Sequence, residues 1–108
     1  MGRDLSYLPI KNDEHLKAYR IYRENDCQWR GVDHLTKKEA LLIKKYDCCR
    51  EEILSGRNSV DGMEDEFFTL EALDKFIREK LDVKDYRQAE FLCRIADDTT
   101  YGVIINSG

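Results

Sequence analysis

The chain has 108 residues, a length at which one domain built on one core is the commonest arrangement. Its hydrophobic share of 42% and charged share of 37% are typical of folded proteins, because disorder requires low hydrophobicity together with a large net charge. The net charge of -4 selects neither nucleic acid nor any other charged partner. We expect a single domain over residues 1–108.

The charges are divided unevenly along the chain. Residues 1–50 carry 11 Lys or Arg against 8 Asp or Glu, a net charge of +3, and residues 51–108 carry 7 against 14, a net charge of -7. An acidic excess of this size usually forms a solvated face of the protein, and the alternative is an electrostatic docking surface.

Cysteine usage and hydropathy indicate the compartment. The four cysteines are too few and too irregularly spaced for a disulfide framework, and no apolar signal segment precedes them. The longest apolar runs span only a few residues, which is too short for a transmembrane helix. The sequence therefore predicts a cytoplasmic protein that does not enter a membrane.

The first predicted elements are a strand and a helix. Residues 5–10 can form a strand, which Pro9 restricts to an edge or a strand end. Asn12 is a candidate N-cap for a helix that continues through Tyr22 with acidic residues in its first turn. Residues 18–22 also alternate well enough to form a strand, so that alternative stays open.

A second helix is predicted over about residues 37–55. Thr36 and Glu39 form a capping box, in which each side chain accepts a hydrogen bond from the backbone N–H of the other residue. An apolar stripe at helical spacing follows, and Gly56 supplies a left-handed stop. The stripe consists of Leu42, Tyr46, Cys49 and Ile53.

A loop over residues 56–66 and a third helix come next. The loop contains the acidic run Glu64, Asp65 and Glu66. Thr69 is the predicted cap of the third helix, and Phe67 can pack against its apolar face. That face consists of Leu70, Leu73, Ile77 and Leu81.

A fourth helix and a strand complete the predicted fold. Asp85 and Gln88 resemble a further capping box, which opens a helix through Ala96. A hairpin is the alternative for this region, but residues 88–96 include good helix formers and residues 101–105 favour a strand. These elements together predict a mainly helical α+β fold of about four helices with short terminal strands in one compact domain.

No residue spacing predicts a metal or cofactor site. Only His15 and His34 are available as histidine ligands, and they form none of the close ligand pairs that structural zinc sites use. The acidic stretch around Gly62 resembles a calcium loop, but its register places Arg57 and Phe68 at ligand positions that require carboxylates. We expect neither a metal nor a cofactor.

The sequence also predicts no catalytic residue. A phosphate-binding glycine loop, a nucleophile elbow and a zinc-protease motif are all missing from the sequence. A carboxylate or a cysteine could still act in a pocket that the sequence does not reveal. A small enzyme is therefore the least favoured class.

The helices that begin near Leu70 and Tyr86 have the outline of a helix-turn-helix. A surface that binds phosphates needs a basic excess, and the second of these helices mixes basic and acidic residues. A helix pair packed in the core is the favoured interpretation, and nucleic acid is an unfavoured partner.

Aromatic residues provide the remaining functional signal. Tyr7, Tyr19, Tyr22, Trp29 and Arg30 make the first third of the chain rich in residue types that anchor protein interfaces. Trp29 lies in a connecting stretch, where exposure is more frequent than in a helix stripe, and core packing is the alternative.

The preferred function is a non-enzymatic interaction module of adaptor or inhibitor type. It is expected to bind a protein partner through Trp29 and Arg30 or through Glu64, Asp65 and Glu66. A helix-turn-helix regulator of nucleic acids is the alternative.

Overall fold

The computed structural model describes residues 4–54, 63–80 and 86–107, which form five helices and four strands. The chain divides into two compact units. We call residues 1–10 and 50–108 the sheet unit, and Lys11–Cys49 the helical unit. The helical unit is inserted in the sequence between the first two strands of the sheet unit.

The sheet unit contains one antiparallel sheet. Its strands are β1 (Leu5–Ile10), β2 (Glu51–Leu54), β3 (Met63–Thr69) and β4 (Gly102–Ser107), in the spatial order β2-β1-β4-β3. β1 pairs with β4 along its whole length, but β2 pairs only with the first three residues of β1. Pro9, which has no N–H to donate, lies beyond that pairing. β1 is thus an interior strand of the sheet. Pro9 is tolerated in it because β2 does not extend as far as Pro9.

Two helices, α4 (Leu70–Lys80) and α5 (Tyr86–Asp98), pack with this sheet around the main core. Alternate residues of β1 and β4 pack against residues of α4 and α5 that recur every three or four positions along each helix. Residues at the intervening strand positions, such as Leu8 and Ile104, are buried as well. The core cluster consists of Leu5, Tyr7, Leu73, Phe76, Leu92, Ile95, Val103 and Ile105.

The helical unit contains α1 (Asp13–Glu24), α2 (Cys27–Arg30) and α3 (Lys37–Lys45). The side chain of Asn12 accepts a hydrogen bond from the His15 N–H at 2.9 Å, so its predicted cap is confirmed. The capping box is confirmed as well. The Glu39 N–H donates to Thr36 Oγ1 at 3.2 Å, and the Thr36 N–H donates to Glu39 Oε1 at 3.1 Å.

The predicted fold class was wrong. The described residues form a four-stranded antiparallel sheet instead of short terminal strands, and five helices instead of about four. Residues 51–54, predicted as the end of a helix, form β2, and the acidic run predicted as loop belongs to β3. Both strands are stabilised by partners distant in sequence, which local patterns do not report.

The central helix ends at Lys45, about ten residues before its predicted end, because contacts with α1 redirect the chain. The Tyr46 hydroxyl donates to Glu14 Oε1 at 3.0 Å, and its ring stacks on His15 at 5.0 Å between centroids. The Cys49 N–H then donates to Asp47 Oδ1 at 2.9 Å, which closes a turn. These interactions end the helix at Lys45 although the apolar stripe at helical spacing continues beyond it.

The elements after β3 follow the predicted order. Thr69 Oγ1 accepts a hydrogen bond from the Ala72 N–H at 3.2 Å, which confirms this cap, and a helix with a following strand is confirmed over the hairpin. Phe68, and not Phe67, packs toward α4, with its ring 5.0 Å from that of Phe76, because neighbouring strand residues face opposite sides. The predicted features at Gly56, Gly62, Leu81 and Asp85, and the Gln88 side chain, lie outside the described residues.

Of the helices in the described ranges, none is both long enough and apolar enough to cross a bilayer.

Candidate functional site

Trp29 is the most exposed large hydrophobic side chain in the described part of the chain, with 84% of its surface accessible. It lies in α2, a single helical turn. Cys27 at the start of this turn is buried, whereas Gln28, Trp29 and Arg30 are exposed. The turn is therefore anchored through Cys27 and presents Trp29 and Arg30 to solvent. The sequence left exposure and core packing open for Trp29, and the structure places the side chain at the surface; its role in binding stays a prediction.

The backbone on both sides of α2 is fixed by local geometry. Asp26 (φ 51°) and Gly31 (φ 73°) adopt positive φ angles before and after the turn. The Asn25 N–H and its side-chain amide both donate to the Ile21 carbonyl, at 3.1 and 2.9 Å. The Asn25 carbonyl in turn lies 2.9 Å from His34 Nε2, which donates to it. Trp29 is thus presented on a hydrogen-bonded corner and not on a free loop.

The three tyrosines of the predicted aromatic group are less exposed than Trp29. Tyr7 and Tyr19 are only 1% and 2% exposed, and both belong to the buried interior. Tyr22 is half-buried. Core packing, the alternative weighed for this group, holds for Tyr7 and Tyr19, and Trp29 is the exposed aromatic residue among the four.

The predicted acidic site lies on β3, at one edge of the sheet. Glu64 and Glu66 are exposed, but Asp65 sits at a bulge with a positive φ of 47°. Asp65 Oδ1 lies 3.1 Å from Arg50 Nη1 and accepts a hydrogen bond from Asn106 Nδ2 at 3.3 Å. The contact with the buried Arg50 Nη1 is an ion pair without hydrogen-bond geometry. Asp65 therefore holds the bulge, and Glu64 and Glu66 face solvent.

A groove of about 490 Å³ lies between α1 and α3. Leu41, which is 58% exposed, and the half-buried Leu42 provide its apolar surface. Lys45 pairs with Glu14 at 2.8 Å on its rim. The groove is lined by Asp13, Glu14, Lys17, Lys38, Leu41, Leu42 and Lys45.

The histidines that the sequence offered as ligands are already engaged. His15 is 1% exposed; its Nδ1 accepts from the Lys11 N–H at 3.0 Å, and its Nε2 donates to the Asp47 carbonyl at 2.6 Å. This hydrogen-bond pattern assigns the neutral tautomer with the proton on Nε2. Among the described residues, no three His, Cys, Asp or Glu side chains are grouped to hold a metal ion. The absence of a bound metal stays a prediction, which a metal analysis of the purified protein would test.

Two of the cysteines are buried and two are exposed. Burial raises the pKa of the Cys48 thiol to about 11 and also raises the pKa of Cys27. A thiol that stays protonated at neutral pH is a poor nucleophile. Cys49 and Cys93 are exposed. The geometry thus gives Cys27 and Cys48 packing roles.

A polar cluster joins β1 to the end of α5. The buried Tyr7 hydroxyl donates to the Asp98 carboxylate, and Arg94 forms an ion pair with Glu51 nearby. Burial, followed by the hydrogen bond to Asp98, raises the pKa of Tyr7 to about 12. Tyr7 is therefore a neutral hydrogen-bond donor at physiological pH, and this contact positions the helix on the sheet.

The described face of α5 carries charges of both signs. Its exposed residues include Glu90, Asp97 and Asp98, and the charge of Arg94 is paired with Glu51. Phosphate binding requires a basic excess, which the described residues of this face do not form, and nucleic acid stays an unfavoured partner as a prediction. The apolar sides of α4 and α5 pack into the core cluster with the sheet.

Comparison with protein-family models, curated proteins and solved structures finds no match. Function is therefore inferred from the residues of this chain. Sequence reasoning found Trp29 and Arg30 but missed the positive φ angles that bracket them and the exposure of Leu41. Gly31 was a signal in the sequence for a positive φ angle after the turn. The lysines on both sides of Leu41 in the sequence were a signal for its exposure.

Proposed function

We propose that the chain is a cytoplasmic, non-enzymatic protein-interaction module of adaptor or inhibitor type that binds a protein partner through Trp29 and Arg30. The observation that carries the proposal is the 84% exposure of Trp29 on an anchored turn. Tryptophan and arginine are the residue types most enriched among energetically dominant interface positions. Burying a large apolar side chain contributes about 1.5–3 kcal/mol, which a partner pocket would supply.

The fixed corner around α2 strengthens this interpretation. Binding a flexible loop costs conformational entropy, which lowers affinity. Here the hydrogen bonds of Asn25 and His34 and the buried Cys27 already hold the turn. A partner would therefore meet Trp29 and Arg30 in an arrangement that needs little further ordering.

The acidic edge of β3 supports a weaker second contact. Glu64 and Glu66 are exposed and would attract basic side chains of a partner. Asp65 would contribute there by fixing the bulge and not by touching the partner, since its carboxylate is engaged with Arg50 and Asn106.

Affinity capture with the wild-type chain and with Trp29→Ala tests the proposal. Proteins retained by the wild type and lost with Trp29→Ala are then purified and titrated directly. Trp29→Ala should weaken such a complex by about 2 kcal/mol or more, while the folded chain loses less than about 0.5 kcal/mol of stability because the side chain is exposed. Trp29→Phe should restore part of the affinity.

Leu70→Ala is the matched control, because Leu70 is an exposed apolar residue (49%) of the sheet unit. It should retain every partner. If Trp29→Ala retains every partner as well, the Trp29 site is wrong. If the chain binds labelled duplex DNA with an affinity that falls steeply with salt, the nucleic-acid alternative replaces the proposal.

A further inference from the structure

We infer that His15 is a pH-sensitive switch in the helical unit, which is closed while the imidazole is neutral and opens when mild acid protonates it. His15 is buried, whereas His34, the other histidine of the chain, is exposed. The switch uses neither Trp29 nor Arg30, so the inference goes beyond the proposed function and does not depend on it.

The closed switch consists of two hydrogen bonds and one ring contact. The Lys11 N–H donates to His15 Nδ1 at 3.0 Å, and His15 Nε2 donates to the Asp47 carbonyl at 2.6 Å. The ring also stacks on Tyr46, with 5.0 Å between the centroids. Lys11 is the first residue of the helical unit and Asp47 lies close to its last residue, so the imidazole connects the two ends of the unit.

Protonation breaks the first of these hydrogen bonds. A second proton must bind Nδ1, because Nε2 already carries one in this tautomer. The new N–H would then face the Lys11 N–H, which places two donors against each other where a donor and an acceptor now lie 3.0 Å apart. The hydrogen bond to Asp47 survives, since a protonated ring still donates through Nε2. The switch therefore opens on the Lys11 side.

The position of His15 also opposes a positive charge. Its side chain is 1% exposed, so a charge on the ring would be removed from water. It lies in the first turn of α1, three residues after the N-cap Asn12. The helix dipole and the free backbone N–H groups make this end of a helix positive, which disfavours a cation there.

The charged groups around the ring already have other partners. The titratable residues on the segments in contact with His15 are Lys11, Asp13, Glu14, Lys45, Tyr46 and Asp47. Glu14 Oε1 accepts from Lys45 Nζ at 2.8 Å, and Asp47 Oδ1 accepts from the Cys49 N–H at 2.9 Å. Within the described part of the chain, no carboxylate pairs with the imidazole. An imidazolium at this position would gain no ion pair to offset the lost hydrogen bond.

The direction of the pH dependence follows from these contacts. The unfolded chain takes up the proton as an ordinary histidine does, below about pH 6.5, whereas the closed switch has no place for it. The stabilising contribution of the switch is therefore complete above about pH 6.5 and is lost as the pH falls below that value. Each further pH unit should lower the folding equilibrium constant by up to about tenfold.

Nuclear magnetic resonance of the wild-type chain between pH 7.5 and pH 5.5 tests the inference without any substitution. Nitrogen chemical shifts of each imidazole distinguish the neutral ring from the charged one, and hydrogen exchange, corrected for the intrinsic rate, measures protection of the Lys11 amide. Charged His15 should appear only together with loss of protection at Lys11. Charged His15 beside a protected Lys11 amide would overturn the inference.

Urea unfolding at pH 7.5 and pH 5.5 gives a second measurement. The folding equilibrium constant of the wild type should fall about tenfold between these values. His15→Gln should lose clearly less, because an amide side chain offers an acceptor and a donor but takes up no proton. Equal losses in the wild type and in folded His15→Gln would also overturn the inference, and if this variant does not fold, the wild-type resonance measurement decides.

His34→Gln is the matched control. His34 Nε2 only donates, to the Asn25 carbonyl at 2.9 Å, and a protonated ring can still make this hydrogen bond. The variant should therefore keep the pH dependence of the wild type. If His34→Gln removed the acid loss of stability and His15→Gln did not, the switch would be assigned to the wrong histidine. Because Trp29 and Arg30 are unchanged in both variants, these outcomes leave the proposed function unaffected.

Discussion

Gly102 begins β4 beside the ring of Phe67. A Cβ at this position would lie 2.5 Å from two ring carbons of Phe67 and 2.9 Å from the carbonyl oxygen of Phe68. Both distances are shorter than van der Waals contact, and the second neighbour is backbone, which cannot rotate away. The phenylalanine ring covers a strand position that must remain without a side chain.

Gly102→Ala should therefore destabilise the protein by about 1–3 kcal/mol through overpacking. The measurement is the urea midpoint of unfolding. Gly31→Ala is a contrasting variant, since open space surrounds Gly31 and only its φ of 73° opposes a side chain. Combining Gly102→Ala with Phe67→Leu should cost less than the sum of the single changes. A wild-type midpoint for Gly102→Ala would contradict the described packing.

Tyr7 gives a prediction about alkaline stability. Its pKa is about 12 in the folded chain against 10 for an ordinary tyrosine, so the unfolded chain releases this proton first. The stabilising contribution is complete below pH 10 and is lost as the pH rises toward 12. Tyr7→Phe should remove this alkaline decline, and should cost about 1 kcal/mol at neutral pH through the lost hydrogen bond to Asp98.

Unfolding midpoints between pH 8 and pH 12 measure the effect. The control is Tyr101→Phe, because Tyr101 is 39% exposed. It should keep the wild-type pH profile. If the unfolding midpoints of the wild type and Tyr7→Phe fell in parallel between pH 8 and pH 12, ionisation of Tyr7 would not be the cause of the alkaline loss of stability.

Helix caps and strands differ in how far a sequence reveals them. The caps at Asn12, Thr36 and Thr69 depend on hydrogen bonds within three residues, so the local sequence contains all their determinants. The pairing of Glu51 with Tyr7 joins residues 44 positions apart in sequence, and no local pattern contains it. The site divides in the same way. The connecting stretch around Trp29 indicated exposure as one of two alternatives, whereas no local pattern indicated the ion pair of Asp65 with Arg50.

The capping box of α3 gives the third prediction. Thr36→Ala should lower stability by about 1 kcal/mol, because the Glu39 N–H loses its acceptor. The backbone and hydroxyl of Thr36 hold the pKa of Glu39 below its usual value, so the contribution of the Glu39 carboxylate to the capping box is present at neutral pH and disappears as the pH falls through that pKa. The difference between the unfolding midpoints of Thr36→Ala and the wild type should therefore be smaller at acidic than at neutral pH, but it should not vanish, because the Glu39 N–H still donates to Thr36 Oγ1 in the wild type.

The edge strand β3 gives the fourth prediction. Its bulge at Asp65 and its exposed Glu64 and Glu66 protect the free edge, since two copies that paired there would bring like charges together. Replacing Glu64 and Glu66 by valine should cause association that increases with concentration, measured by light scattering. Replacing Glu79 and Glu90 by valine is the control, because it adds two valines to helices instead of to the edge strand. This variant should associate no more than the wild type. Equal association of both double variants would exclude edge pairing.

The two units differ in charge across the whole chain. The helical unit carries 9 Lys or Arg against 7 Asp or Glu, a net charge of +2, and the sheet unit carries 9 against 15, a net charge of -6. The division of charge near Arg50 in the sequence thus follows the boundary between units, since all of the sheet unit except residues 1–10 lies from that residue onward. One domain over residues 1–108 stays a prediction. It requires that the two units unfold together in one cooperative transition.

The buried thiols test that cooperativity. With a thiol reagent at neutral pH, Cys49 and Cys93 should react quickly and Cys27 and Cys48 slowly, because the latter are buried with raised pKa values. If the chain unfolds as one domain, Gly102→Ala in the sheet unit should also accelerate labelling of Cys48 in the helical unit. Mass spectrometry of the labelled chain measures both rates. An unchanged Cys48 rate in a destabilised variant would mean that the units open separately.

The position of β4 within the sheet has a consequence for synthesis on the ribosome. β4 lies between β1 and β3, so the two cannot be bridged until residues 102–107 have emerged. β1 is made before the other strands and can pair over its first three residues with β2, but pairing along its whole length must wait for β4, with Leu5 opposite Ser107. The contacts of α1 with α2 and α3 are all made within residues 11–49, so the helical unit can form during that delay. A nascent chain stalled before β4 would therefore expose Leu5, Tyr7 and Leu8 to chaperones.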